Sequence, residues 1–461
     1  MSHELRAKYM KFFIHTTGCK ANQWDAYVIS NKLRQKGLTP SAIGNADIII
    51  INACTLTDGA ERDVRRFINT GRRKNGKAKI ILAGCHAQVY PERSYGADLV
   101  LGQEDKFHID GYLQEKGSFV TGLQSFVNGP LIEEGPAGEL PSGRTRFFFK
   151  IQDGCDRFCS YCIVPYARGK PRSRTVGDVL RIMELLKEKG IKEVVLTGIE
   201  ISAYRDPGTG ADLKGLLRRL EKSETPERIR MSSIDPLYID DELVDIIAGS
   251  GKLARSLHIP MQSASDEVLA GMGRRYTQAY IGNLLKGLQE KIGDVGIGMD
   301  VIAGFPGEDE ARFMETYRFL ESAGIYYLHV FPFSARSGTF AAGFRDQVPD
   351  ALKKRRVRLL RRLDAVKRKT FYERFFGKRM EIIPEGKLYR GQYMRGYTDN
   401  YLPVHIPFTK ILENNCVTVT IKGMEDGILV GGITGEDGMS CEGRGTEDPK
   451  AAYGEERLCL T

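Results

Sequence analysis

Apolar and polar positions in this chain follow a β/α rhythm from the N-terminus. Short apolar runs alternate with stretches of helical periodicity: F-F-I-H-T-T, then Asp25–Gln35, A-D-I-I-I-I-N, Glu61–Arg73 and A-K-I-I-L-A. This βαβαβ pattern predicts a parallel sheet with helices on its faces over residues 11–126. The rhythm resumes over residues 141–370: Val179–Glu188 then E-V-V-L-T-G, Leu213–Lys222 then R-I-R-M-S-S, and Asp240–Ala248 then S-L-H-I-P. Tyr280–Ile292 then precedes G-I-G-M-D-V-I-A-G, and Ala311–Ser322 precedes Y-Y-L-H-V-F. That succession predicts a full or partial (β/α) barrel, with its active site at the strand C-termini. Five short β-rich runs follow, K-R-M-E-I-I-P, Y-M-R-G-Y-T, Y-L-P-V-H-I, C-V-T-V-T-I and I-L-V-G-G-I. They predict a small antiparallel barrel over residues 376–436. The polar, Gly-rich remainder, residues 437–461, reads as a mobile tail.

Composition adds limits. The 461 residues suffice for two or three domains, and 41% hydrophobic with 28% charged residues describes a soluble globular chain. The longest apolar runs have the length of core strands, far short of a membrane span, and the N-terminus lacks an apolar secretory segment. Nine cysteines are sparse and odd in number, which argues against a disulfide framework and for a cytoplasmic protein with reduced thiols. The net charge of +9 is compatible with a nucleic-acid partner. Ten Lys or Arg lie between Lys353 and Lys369 against the single Asp364. Val357, Leu360, Leu363 and Val366 recur there at helical spacing, so an amphipathic basic helix is expected. Its cations serve either as a solvated face or as phosphate contacts.

The chemistry concentrates in cysteines. Cys155, Cys159 and Cys162 lie in I-Q-D-G-C-D-R-F-C-S-Y-C-I-V-P-Y-A-R-G. Three thiolates on one loop can hold three irons of a four-iron cluster and leave the fourth for an exchangeable ligand, whereas cubanes are normally held by four cysteines. Zinc would want four ligands in paired spacings, and no second C-x2-C pair exists. Cys19, Cys54 and Cys85 each follow a predicted parallel strand, in T-T-G-C-K-A-N-Q, I-N-A-C-T and L-A-G-C-H-A-Q. Ligands bind at that edge of open α/β sheets, so these thiols are expected to converge as a second three-thiolate site; buried small hydrophobes are the plain alternative.

The cluster loop resembles the radical S-adenosylmethionine superfamily. The whole arrangement resembles the methylthiotransferases, which carry a three-cysteine N-terminal domain, a radical domain and a terminal RNA-binding barrel called TRAM. R-M-S-S-I-D-P, H-I-P-M-Q-S-A-S-D and G-Y-T-D-N-Y-L-P-V look most like the MtaB-like branch. That branch methylthiolates C2 of N6-threonylcarbamoyladenosine at position 37 of tRNA. The MiaB branch, acting on N6-isopentenyladenosine, is second, and the RimO branch, acting on a ribosomal-protein aspartate, is third. Thr17 and Ala21 depart from the Leu and Val expected there.

The resemblance implies two [4Fe-4S] clusters, a catalytic one on Cys155, Cys159 and Cys162 and an auxiliary one on Cys19, Cys54 and Cys85. It also implies S-adenosyl-L-methionine as cofactor, a tRNA anticodon loop as partner, and a low-potential donor such as flavodoxin or ferredoxin. Thr197, Gly198 and Glu200 are expected near the methionine ammonium, and Ser232 and Ser233 near the ribose. Gln262 and Asp300 are expected at comparable positions further round, and Tyr161 beside the adenine. Each is equally an ordinary turn, cap or packing residue. No side chain is expected as general acid or base. For RNA the candidates are Arg168, Lys170, Arg172 and Arg174, the basic helix, and Tyr393, Tyr397 and Tyr401. Cys416, Cys441 and Cys459 receive no role. A non-catalytic zinc and RNA-binding protein is the rival class.

Overall fold

The structure, a computed structural model, describes residues 10–122, 131 and 145–433. The proposed tail with Cys441 and Cys459, and the expected segment ends at residues 126, 141 and 436, lie outside the described residues. The chain forms two compact units. The first contains residues 10–122, 131 and Ile163–Lys170, and the second contains residues 145–162 and 171–433. The eight residues after the cluster loop therefore belong to the N-terminal unit, and the last barrel shares a unit with the (β/α) strands.

In the first unit the strands are β1 (Lys11–Thr16), β2 (Thr39–Pro40), β3 (Ile48–Ala53), β4 (Lys79–Gly84), β5 (Leu99–Leu101) and β6 (Gly117–Phe119). They form one sheet in the order β2-β1-β3-β4-β5-β6, parallel throughout. The three expected strands are its centre, and the short β2, β5 and β6 carried too little apolar pattern to be read. Every residue of β3 is buried, as a parallel strand covered on both faces requires. Helix Lys20–Gln35 packs its Ile29 and Leu33 with Phe12, Ile14, Ile48 and Ile50. Helix Asp58–Lys74 places Val64 and Ile68 on the other face, against Ile49, Ile51 and Ile80.

The second unit starts with β7 (Arg146–Lys150), β8 (Gln152–Asp153) and β9 (Arg172–Ser173), then β10 (Glu193–Thr197), β11 (Arg228–Met231), β12 (Ser256–Gln262), β13 (Gly296–Ala303) and β14 (Tyr327–Pro332). Two parallel sheets, β7-β10-β11 and β12-β13-β14, meet through the Ile229–Leu253 bridge as a six-stranded partial barrel. The helices between strands share a start signal. Thr175, Asp212, Asp240, Thr277 and Asp309 each cap a helix by accepting a backbone N–H three residues on. That recurrence is why the sequence rhythm translated so directly into elements.

The remaining strands are β15 (Arg379–Pro384), β16 (Tyr393–Tyr397), β17 (Pro403–Pro407), β18 (Val417–Glu425) and β19 (Ile428–Ile433), closed as β15-β16-β17-β19-β18. All five expected runs are present. The expected antiparallel barrel is corrected in one place: β17 and β19 pair in parallel, and that pairing closes the ring.

The expected basic helix spans Asp350–Glu373 and buries Val357, Leu360 and Leu363. Val366 departs from the stripe and is 60% exposed. Tyr326, Tyr327, Phe371 and Phe375 pack in one cluster with Met394, Leu402, Val404 and Val419, so the small barrel and the partial barrel share a continuous core.

Candidate functional site

Cys19, Cys54 and Cys85 follow β1, β3 and β4, three adjacent strands of the first unit. The chain runs outward in both directions from β1 and β3, which makes this edge a topological switch point, where open parallel sheets bind ligands. Two glycines let the turns close. Gly18 has φ +93°, and a Cβ there would lie 2.5 Å from the Cβ of Cys54. Gly84 has the same φ, and a Cβ there would lie 2.6 Å from Asn52 Oδ1. All three thiols are free. Burial, with the neighbouring thiols adding to it, pushes Cys54 up to about 12. Burial is also the main influence raising Cys19, opposed by the Arg168 guanidinium. The adjacent strand ends bring the three cysteines to one edge of the sheet, where Cys54 feels both other thiols. Two buried thiols and a partly exposed one, none in a disulfide, suit metal ligation, which deprotonates the thiols it binds.

The other cysteines lie in the second unit, just after β8. Gly154 (φ +79°) and Phe158 (φ +46°) bend this loop through left-handed backbone. Ser160 anchors it twice, its N–H donating to Met272 O at 3.0 Å and its hydroxyl to Gly271 O at 2.8 Å. The Cys162 N–H donates to Cys159 O at 2.9 Å, which holds these two cysteines in one turn. Burial, foremost, pushes Cys155 up to about 11. Beside the loop Arg157 pairs with Asp235 and, at 3.4 Å, with Glu200, while Arg274 reaches Asp235 at 3.3 Å. Asp235 is fully buried. Sequence reasoning missed this charge network, although R-M-S-S-I-D-P and G-M-G-R-R-Y contain Asp235 and Arg274.

The expected cofactor contacts divide by depth. Thr197, Gly198 and Glu200 end β10, Ser232 and Ser233 end β11, and Gln262 ends β12, so six of the eight gather at strand C-termini. Gly198 is packed on Gln152, where a Cβ would meet its backbone O at 2.9 Å. Ser232 Oγ is buried without a hydrogen-bond partner, which suits a ligand hydroxyl. Burial, ahead of the opposing Arg157 charge, raises the Glu200 carboxyl. Gln262 lies at φ +71° after a register shift in β12, a bulge that re-aims the strand end.

Asp300 differs from its expected place at a strand end. It lies inside β13, in a chain of contacts that the sequence did not reveal. Tyr327 Oη and His258 Nδ1 are 3.1 Å apart, His258 Nε2 is 2.8 Å from Asp300 Oδ1, and His329 Nδ1 is 3.4 Å from the same oxygen. Burial alone would raise this carboxyl, but the two imidazoles hold it well below the usual range. Tyr161 lies against the Val268, Met272, Phe305 and Phe333 cluster, and Arg274 donates to its Oη at 3.1 Å.

The RNA candidates are reduced. Arg168 and Arg174 are 2% and 1% exposed and turn inward. Tyr397 and Tyr401 stack on each other with centroids 4.9 Å apart, and the Arg146 guanidinium covers the Tyr397 ring at 4.0 Å. Those two tyrosines therefore bind the small barrel to the partial barrel. Tyr393 donates to Glu425 at the surface. Lys354, Arg358, Arg361 and Arg362 remain exposed on helix Asp350–Glu373, whereas Arg356 is buried against Glu308. Cys416 donates to Glu227, and burial first, then that carboxylate, pushes its thiol up to about 12. No helix among the described residues is long and apolar enough to cross a membrane.

Two family models match: the radical SAM superfamily over residues 149–320, and an uncharacterized family designated UPF0004 over residues 11–102. The threonylcarbamoyladenosine tRNA methylthiotransferase MtaB of Aquifex aeolicus is 37% identical over 409 residues, 86% of this chain and 96% of that protein. Its Bacillus subtilis counterpart is 35% identical over 420 residues, covering 88% and 92%. A tRNA-2-methylthio-N(6)-dimethylallyladenosine synthase of Thermotoga petrophila is 34% identical over 393 residues, covering 83% and 88%. Among solved structures, the radical S-adenosylmethionine methyltransferase TsrM of Kitasatospora setae matches with TM-score 0.52 at 14% identity, covering 70% of this chain and 72% of that one. That likeness concerns the fold alone.

Proposed function

Because this chain belongs to the radical S-adenosylmethionine methylthiotransferases, enzymes that use S-adenosylmethionine and a [4Fe-4S] cluster, we propose that it methylthiolates C2 of N6-threonylcarbamoyladenosine at position 37 of tRNA. The observation that carries this substrate is the match to relatives named for it over most of both chains. A hydrogen on C2 of adenine has no useful acidity, so a positioned base cannot begin the reaction. When bound, the cofactor and its cluster supply the carbon radical that can.

The protein's own residues then bind, orient and insulate. Cys155, Cys159 and Cys162 hold the catalytic cluster on a loop that Ser160 fixes, and Cys19, Cys54 and Cys85 hold the auxiliary one. Glu200 presents a carboxylate to the methionine ammonium. Gly198 leaves room beside Gln152, and Ser232 offers its unpartnered hydroxyl to the ribose. Arg157, Asp235 and Arg274 fix the cluster loop against the strand ends. Lys354, Arg358, Arg361 and Arg362 face the RNA phosphates, and a low-potential carrier such as flavodoxin or ferredoxin delivers the electrons.

Nucleoside mass spectrometry of tRNA from a strain lacking this gene tests the reading. The methylthio form of threonylcarbamoyladenosine should vanish and return on complementation. Loss of methylthio-isopentenyladenosine instead would move the assignment to the activity named for the Thermotoga relative.

A further inference from the structure

The first unit buries an ionic network around Cys85 that the readings above leave unused. Arg168 Nε donates to Cys85 Sγ at 3.3 Å, and Gln103 Nε2 donates to the same sulfur at 2.8 Å. The Gln103 amide is oriented by its other end, because Oε1 accepts from the donor-only ammonium of Lys106 at 2.5 Å. Lys106 and Arg168 both pair with Asp25 Oδ2, at 2.6 and 2.9 Å, and Arg168 also donates to Asn22 Oδ1. Asn22, Asp25, Gln103, Lys106 and Arg168 are between 0 and 5% exposed. Buried charge is costly to assemble, and here two cations meet one carboxylate beside three thiols.

We propose that Arg168 and Gln103 are positioning residues for an iron–sulfur cluster on Cys19, Cys54 and Cys85, donating hydrogen bonds to its Cys85 sulfur and raising its reduction potential. The inference rests on the reading of these cysteines as ligands. Three thiolates bring negative charge into a closed site, and reduction adds one more. Hydrogen bonds to sulfur and nearby cations favour the reduced form. An ion network with a purely structural role would leave the potential where it is.

The test uses the full chain carrying Cys155→Ala, Cys159→Ala and Cys162→Ala, so that bound iron belongs to the N-terminal thiols. Reconstituted anaerobically, this parent should bind about four irons and show one reversible one-electron couple in an EPR-monitored titration. Arg168→Gln should make reduction harder, with the ratio of reduced to oxidised cluster about tenfold lower at a fixed potential, equivalent to about 59 mV for one electron. Arg168→Lys keeps the charge and should recover most of that loss. Gln103→Leu removes a neutral donor and should shift the couple the same way by less, which keeps the test open if Arg168→Gln does not retain iron. A parent without iron would overturn the ligand reading and this inference together. A parent that holds iron while all three variants keep its potential and EPR signal would overturn the inference alone.

Discussion

Glu193→Gln should be among the more damaging single changes in the second unit, although it lies far in sequence from every cysteine. Glu193 starts β10 and is fully buried. Its Oε1 accepts from Arg230 Nε at 3.0 Å, and its Oε2 lies 3.4 Å from Arg228 Nη1. These guanidiniums also reach the small barrel. Arg228 donates to Tyr397 O at 2.8 Å, and Arg230 donates to Thr398 O at 3.0 Å and Asp399 O at 2.8 Å. Glutamine keeps the shape but removes the charge and turns an amide N–H toward a guanidinium. Breaking a buried pair by neutralising one partner costs about 3–5 kcal/mol. At roughly 2–4 °C per kcal/mol for a large domain, Tm should fall by about 6–20 °C, read by circular dichroism with urea unfolding alongside. The pH dependence carries a sign. Burial alone would raise this carboxyl, but Arg230, Arg146 and Arg228 hold it below its ordinary 4.5. The advantage over the variant should therefore be constant above about pH 4.5 and shrink as pH falls further. Removing residues 377–461 takes away the same backbone acceptors, so the truncation should destabilise the partial barrel and be non-additive with Glu193→Gln. A loss under about 1 kcal/mol, or strict additivity with the truncation, would refute this account.

Cys155→Ala, Cys159→Ala or Cys162→Ala should each leave the circular dichroism unchanged and abolish release of 5′-deoxyadenosine from S-adenosylmethionine, because a three-thiolate loop has no spare ligand; normal release would reject the loop assignment. Replacing Arg358, Arg361 and Arg362 together with Gln should lower tRNA affinity and flatten its salt dependence by about 0.7–0.9 log units per lost phosphate contact, with Tm within about 1 °C of the parent. Burial, outweighing Arg356 and the Gly304 N–H, pushes Glu308 up to about 7. A carboxyl raised in the folded state binds its proton there first, so stability relative to Glu308→Gln should rise as pH falls from about 8 toward 5, measured by urea unfolding at each pH.

Part of this protein was legible in its residues alone. Strands such as Ile48–Ala53, Lys79–Gly84 and Glu193–Thr197 carried a continuous apolar run, and caps such as Thr57, Thr175 and Asp309 set helix starts at fixed spacing. Cysteines placed directly after three apolar runs could be put on one sheet edge, because side-by-side parallel strands leave no other place for their ends. The strands β5 and β6 were missed because three residues cannot display a period. The fate of charged and aromatic side chains was not legible either. Arg168, Arg174 and Arg356 sit in the same kind of basic stretch as Arg358 and Arg361, yet only folding supplied Asp25, Asp178 and Glu308 as their partners. Tyr397 and Tyr401 looked like a surface for bases until the Arg146 guanidinium covered them. His258, Asp300 and His329 lie on three strands whose registers decide their meeting. The local pattern fixes backbone elements because hydrogen bonds and burial act over a few residues, whereas the pairing of buried charges depends on which distant strands the sheet sets side by side.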